Sequence, residues 1–302
     1  MSAVLVDQAR DLRRLVEEKR QAIRQKGRLR TIAVLSGKGG VGKSNMSIAL
    51  SCAFADCGKR VVLLDADLGL ANLDILCGVS ARYNLSHLVD GSRRLEEILI
   101  PLEERVSLLP GGVGLREMAD LEDEAMDRVF GALDGLEDRM DLLILDTGAG
   151  IHKGVLSFAR AADLALLVTT PEPTSVRDAY GVIKSMGRVA RERGGEIMLV
   201  VNMAGSKEEA QEVSERIRMA SMQFLGNAPA YLGYVLKDDS VERAVRGRKA
   251  FYRASPSSAA SRCVKRLADE ILRSWEGRVV PRDSRGLRSF FLRLTRGFFM
   301  ER

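Results

Sequence analysis

The chain has 302 residues, 46% hydrophobic and 29% charged, a composition that excludes a disordered polymer and leaves ample material for a core. Its formal charge of +6 is unevenly spread: residues 1–30 hold nine Arg/Lys against four Asp/Glu, residues 277–302 hold seven against two, and the stretch between is near −4. A mildly acidic centre excludes a nucleic-acid-wrapping surface over the whole fold and puts the question of partners to the two basic termini.

In chain order, residues 4–26 read as an amphipathic helix, with Leu5, Ala9, Leu12, Val16 and Ile23 at helical spacing and Gly27 to end it. From Thr31 a strand–helix alternation begins. TIAVLS (31–36) is an apolar run, followed by a Gly-rich turn and a helix to about Ala55. Further strands are predicted at 60–65, 106–109, 142–146, 164–169, 197–202 and 230–235, with helices at 174–193, 207–225 and 256–275. Strands that are apolar on both faces and alternate with helices predict a doubly wound, mostly parallel α/β sheet covered on both sides. Cys52, Cys57, Cys77 and Cys263 have no CxxC spacing and no adjacent histidine, so they read as reduced core thiols and not as a zinc site. The first 20 residues lack the apolar stretch of a secretion signal, and no run of 18 apolar residues is present, so a cytoplasmic protein without a spanning helix is expected.

Gly37-Lys38-Gly39-Gly40-Val41-Gly42-Lys43-Ser44 fits GxxxxGK[ST] between a predicted strand and a predicted helix. Glycines let backbone amides curl around phosphate oxygens, and the following helix aims its N-terminal dipole at them. Lys43 is then placed for the β- and γ-phosphates and Ser44 for Mg²⁺. Two strand ends add carboxylates. LLILD ends in Asp146, the arrangement that holds Mg²⁺ through water, and RVVLLDAD brings Asp65 and Asp67 to another strand end. Ligands of parallel sheets bind at that edge. A nucleotide's phosphates and Mg²⁺ are the expected ligands.

With its second lysine, Lys38, this loop resembles the deviant Walker A motif of the MinD/ParA ATPases, P-loop proteins of the SIMIBI class, and the resemblance spans residues 30–275. It implies that the phosphate cradle runs from Gly37 to Asn45 and that Lys38 reaches ATP in an opposite subunit, making a homodimer ATP-dependent. It also implies that Asp67 orients the attacking water, that Asp65 and Asp146 support Mg²⁺, and that Asn202 contacts adenine. Lys38, Lys43 and Asp67 are thus the catalytic candidates. DADLGLANLD (65–74) and DTGAGI (146–151) look like the flagellar-number regulators of this family, the FlhG (FleN, YlxH) type. Asp7-Gln8-Ala9-Arg10-Asp11-Leu12-Arg13 is similar to the DQAxxLR element with which they stimulate the SRP-type GTPase FlhF. Asp7, Gln8, Ala9, Leu12 and Arg13 are therefore expected to bind that partner, and basal-body C-ring proteins are implied as further partners.

In the tail, Leu287, Phe290, Phe291, Leu294 and Phe298 share one helical face opposite Arg285, Arg288, Arg293 and Arg296. Apolar burial opposite arginines suits an in-plane helix on an anionic membrane, and pairing two tails in a dimer would raise avidity. The expected organisation is a helix over 1–28, an ATPase domain over 29–280 and a membrane-targeting helix over 281–302, visiting the inner membrane with ATP. The residues also admit two other assignments. A septum-site MinD is disfavoured because that protein starts near its P-loop. A ParA-like partition ATPase is disfavoured by the near-neutral centre, so no sequence-specific nucleic acid is expected.

Overall fold

A computed structural model describes residues 29–67, 69, 71–111, 115, 129, 131–133, 135–137, 139–187, 196–276 and 286–299, with only the backbone of 288 and 295–299. The N-terminal helix expected over 4–26, and with it Asp7, Gln8, Ala9, Leu12 and Arg13, lies outside these residues.

Eight strands form one sheet: β1 (Arg30–Ser36), β2 (Val61–Ala66), β3 (Ile100–Glu103), β4 (Val106–Pro110), β5 (Leu142–Ala149), β6 (Leu164–Thr169), β7 (Glu196–Ala204) and β8 (Ala230–Leu236). Their order is β3-β4-β2-β5-β1-β6-β7-β8. Every pairing is parallel except β3 with β4. The antiparallel edge strand IPLE was not predicted: it is short and carries Pro101, which a strand tolerates at an edge because no ladder N–H is lost there.

The described helices are α1 (Lys43–Asp56), α2 (Leu73–Cys77), α3 (Leu85–Val89), α4 (Leu95–Ile98), α5 (Lys153–Ala161) and α6 (Pro173–Met186). They continue with α7 (Lys207–Leu225), α8 (Asp239–Arg246), α9 (Phe251–Ala254), α10 (Ala259–Trp275) and α11 (Leu287–Phe299). Period-two alternation along each strand sorts the core into two layers. Ile32, Val34, Leu63, Ile144, Leu166 and Val200 face α1 and α10, whereas Ala33, Leu35, Leu64, Leu145, Leu167 and Leu199 face α5, α6 and α7. Local signals set the helix ends. The Ser206 hydroxyl accepts from the Glu209 amide at the start of α7, and Gly226 at φ 65 closes it, so the predicted and observed spans agree.

The tail is helical, as expected, but its apolar face is not free. Leu287, Phe290, Phe291 and Leu294 are at most 2% exposed and belong to the α5-side core. The Arg293 guanidinium donates from Nε and Nη2 to the carbonyl of Ala161, the last residue of α5, at 3.0 and 2.8 Å. The Leu287 amide donates to Glu137 Oε2 at 3.1 Å and anchors the other end. In this conformation the face expected to bind a membrane is therefore covered from Leu287 to Leu294. The same side chains find a dry surface in the core beside α5, and burial of two Phe and two Leu is favourable wherever it occurs. The side chain of Phe298 lies outside the described residues.

Candidate nucleotide-binding site

β1 ends at the sheet's centre, and the chain turns there from Gly37 into α1. Gly40 and Gly42 both take left-handed backbone, at φ +81 and +84. Gly42 must lack a side chain for a second reason: a Cβ there would run into Nδ2 of Asn202. Asn202 Nδ2 itself donates to the Val41 carbonyl at 2.8 Å, tying the end of β7 to the loop. A Cβ at Gly37 would strike the Asp178 backbone, so α6 fixes the loop from its other side. The N-cap of α1 is Gly42 and no side chain caps that helix. Its first amides are therefore left for an anion, with the positive end of the dipole behind them.

The loop walls a cleft of about 750 Å³, of the size that small-molecule ligands occupy. Lys38, Gly39, Gly40, Val41, Gly42, Lys43, Ser44, Asn45 and Asp67 line it, together with His152, Gly154, Val155, Phe158 and Met203. Asp65 and Asp146 lie beneath it, nearly fully buried. Parallel register explains their pairing: Asp146 on β5 sits beside Val34 of β1 on one side and Asp65 of β2 on the other.

Lys43 Nζ donates to Asp146 Oδ1 at 3.1 Å, and Ser47 Oγ donates to the same oxygen at 3.1 Å. This ion pair is buried on both sides, so removing either partner would leave an uncompensated charge. Asp65, expected to support Mg²⁺, is engaged by backbone amides in this conformation. Its Oδ2 accepts from the amides of Asn72 and Leu73 at 3.0 and 3.1 Å, and its Oδ1 accepts from Asp67 N at 3.3 Å. It thus ties down the loop that carries Asp67. Burial pushes its carboxyl up to about 6; the Leu73 amide opposes that shift and the nearby Asp146 charge adds to it. Lys38 sits at the rim, its ammonium 2.7 Å from Glu172 Oε2 and 3.2 Å from Thr174 Oγ1. Both groups are solvated, so this pair is worth ~0–1 kcal/mol and does not hold the lysine in place.

Among the described residues no group of three or more His, Cys, Asp or Glu is arranged to hold a metal ion. A Mg²⁺ ion brought in with a phosphate ligand needs only one or two carboxylates and takes its other positions from phosphate oxygens and water, a donor set that Ser44, Asp65 and Asp146 fit. The four cysteines are free thiols, as expected. Sequence reading missed Ser47, Glu172, Thr174, His152 and Met203. Ser47 lies one helical turn beyond Lys43, which could have flagged it, whereas the others reach the site only through the sheet order.

A strand–loop–helix phosphate cradle at the centre of a parallel sheet, with buried aspartates at the neighbouring strand ends, defines a P-loop nucleotide-binding protein. The family model of the CobQ/CobB/MinD/ParA nucleotide binding domain matches residues 32–250, and the chain belongs to that family. It is an ATPase. The chain is 38% identical to the antiactivator FleN of Pseudomonas aeruginosa, over 87% of this chain and 92% of that protein. It is 34% identical to the flagellum site-determining protein YlxH of Helicobacter pylori, over 89% and 90%. Among solved structures, MinD in the MinC:MinD cell division complex of Aquifex aeolicus superimposes with a TM-score of 0.63 at 25% identity, covering 83% of this chain and 97% of that one. MinD of Pyrococcus horikoshii complexed with Mg-ADP shares the fold, with a TM-score of 0.62 at 24% identity over 83% and 100%.

Proposed function

We propose that the protein is an ATP-driven dimerising switch that regulates flagellar number or placement. The observation that carries this reading is the match over nearly the whole chain to YlxH, a flagellum site-determining protein, and to the antiactivator FleN. The division and partition alternatives share the fold but match less of the chain or at lower identity, as with MinD of Bacillus subtilis at 32% over 80%.

In the proposed cycle Lys43 exchanges the Asp146 carboxylate for the β- and γ-phosphates of ATP. Asp146 and the Ser44 hydroxyl, with Asp65 beside them, would hold Mg²⁺, which would supply charge neutralisation of the phosphates. The swap leaves neither buried charge unpaired, which makes the Lys43–Asp146 pair a resting partner for each. Lys38 leaves its weak contact with Glu172 to reach the nucleotide of a second subunit. Asp67, carried on the loop that Asp65 anchors, positions the attacking water. Asn202 borders the base.

Among the described residues no helix is long and apolar enough to cross a membrane. Association with the inner membrane is therefore proposed to be peripheral, through α11. Because the face that would enter lipid is buried against α5, membrane binding requires α11 to leave the core. Asp7–Arg13 is proposed to stimulate an FlhF-type GTPase, with C-ring proteins as further partners. The deciding experiment is GTP hydrolysis by the organism's FlhF-type GTPase with the full chain and ATP, and with a Gln8→Ala/Leu12→Ala variant. Stimulation lost in the variant is the expected result. No stimulation by the wild-type chain would remove the GTPase from the proposal.

A further inference from the structure

Met203 has an unusual backbone. Among the described residues only two non-glycines have positive φ, Met203 at +57 and Arg248 at +51. A bulky L-residue pays a steric cost in that region and is found there where the surroundings require it.

The requirement comes from a β-bulge. Pairing of β7 with β8 steps from Val201↔Tyr234 to Ala204↔Leu236, so Asn202 and Met203 together face the single residue Val235. The ladder then continues, with the Lys237 amide donating to the Ala204 carbonyl at 2.8 Å. The bulge therefore does not end the strand. It re-aims one side chain, the usual effect of bulges beside binding sites.

The re-aimed side chain points to the nucleotide cleft. Met203 is 41% exposed, although its neighbours Val201 and Ala204 are fully buried. It lines the large cleft and also a narrower one of about 80 Å³ that continues past Gly42 toward Asn202, Asp238 and Phe251. The narrow cleft alone is far below ligand size, so it takes one part of a ligand whose remainder lies in the large cleft. Met203 stands at the junction, its methyl 3.3 Å from where a Cβ of Gly42 would be. Glycine would satisfy the bulge at no steric cost, and an exposed thioether gains nothing from water. Both costs are explained if a ligand covers the side chain.

We propose that Met203 is a nucleotide-contacting residue whose thioether packs on the sugar and base of ATP, so that it sets affinity for the nucleoside half of the ligand and not for its phosphates. A flexible, polarisable side chain suits contact with an aromatic ring. This rests on the cleft being the ATP site.

The test measures binding of ADP and of inorganic tripolyphosphate, each with Mg²⁺, to the full chain. Wild type is compared with Met203→Gly, Met203→Asn and Met203→Leu, and each is also melted without ligand. Glycine and asparagine both accept left-handed backbone, so either variant serves if the other fails to fold. The expected result is an ADP affinity about tenfold weaker in both, an unchanged tripolyphosphate affinity, a melting temperature no lower than wild type, and recovery of ADP binding in Met203→Leu. Equal loss for both ligands, or no loss for either, would overturn the assignment and leave Met203 a feature of the strand alone. If the wild-type chain bound neither ligand, the reading of the cleft itself would fail, a result distinct from the failure of Met203's role.

Discussion

Arg293→Lys tests whether core and membrane compete for the same helix face. Leu287, Phe290, Phe291 and Leu294 fill the α5-side core, so they cannot enter lipid while α11 is docked. Arg293 helps to hold that state without belonging to the face, donating two N–H bonds at 3.0 and 2.8 Å to the carbonyl of Ala161. A hydrogen bond from a charged donor is worth ~1.5–3 kcal/mol, and a cation at a helix C-terminus adds ~0.3–1 kcal/mol. Lysine keeps the charge, and so its attraction to both the α5 terminus and anionic lipid, but it cannot reproduce the forked pair. The docked state should lose about 1–2 kcal/mol, which is a factor of ~5–30 in the docking equilibrium. While docking dominates, apparent membrane affinity rises by the same factor, because the competent fraction rises by it. Co-sedimentation with phosphatidylglycerol vesicles at fixed ATP measures this, and Phe290→Ala serves as the contrast, since it removes a side chain needed on both surfaces. An unchanged or weaker vesicle affinity for Arg293→Lys, with the fold intact, would refute the competition.

Lys38→Ala should abolish ATP-dependent dimers in light scattering while leaving monomer stability within ~1 kcal/mol, because the lost pair with Glu172 is solvated; dimers that persist with ATP would reject the trans role. Asp67→Ala should accumulate an ATP-bound dimer with turnover at least tenfold slower in a phosphate-release assay, and rapid turnover would remove Asp67 from hydrolysis. Asp65 gives a pH signature. Its carboxyl is raised in the folded state from 3.8 to about 6, so its contribution to stability is full below pH ~4 and is lost as pH rises through ~6, by about 3 kcal/mol. Asp65→Asn should flatten that part of the melting-temperature profile between pH 4 and 6, measured without nucleotide and with a chelator. A profile parallel to wild type would refute the assignment of the raised pKa to Asp65.

How far the sequence carried the reading depended on the range of the interaction that each feature expresses. The phosphate loop was legible because its chemistry is contiguous: glycines, lysine and serine fall within eight residues, between an apolar strand and a helix. The six inner strands were legible because a strand buried on both faces writes its environment into its own composition. The caps of α7 at Ser206 and Gly226 are equally local. Short α2, α3 and α4 and the edge strand β3 were not found, since four or five residues carry too little periodicity to distinguish them from loop. The fate of α11 could not be read at all from its own residues. A face of Phe290, Phe291 and Leu294 has the same chemistry against lipid as against another helix, and the choice was made by α5, more than a hundred residues away, which offers both an apolar flank and the Ala161 carbonyl. Met203 likewise looks like an ordinary strand residue until the register of β8 shows the bulge that turns it outward. The sequence by itself determined which groups can grip a nucleotide. Only the tertiary structure decided which surfaces those groups face and which of them are already occupied, because burial is a property of two segments and never of one.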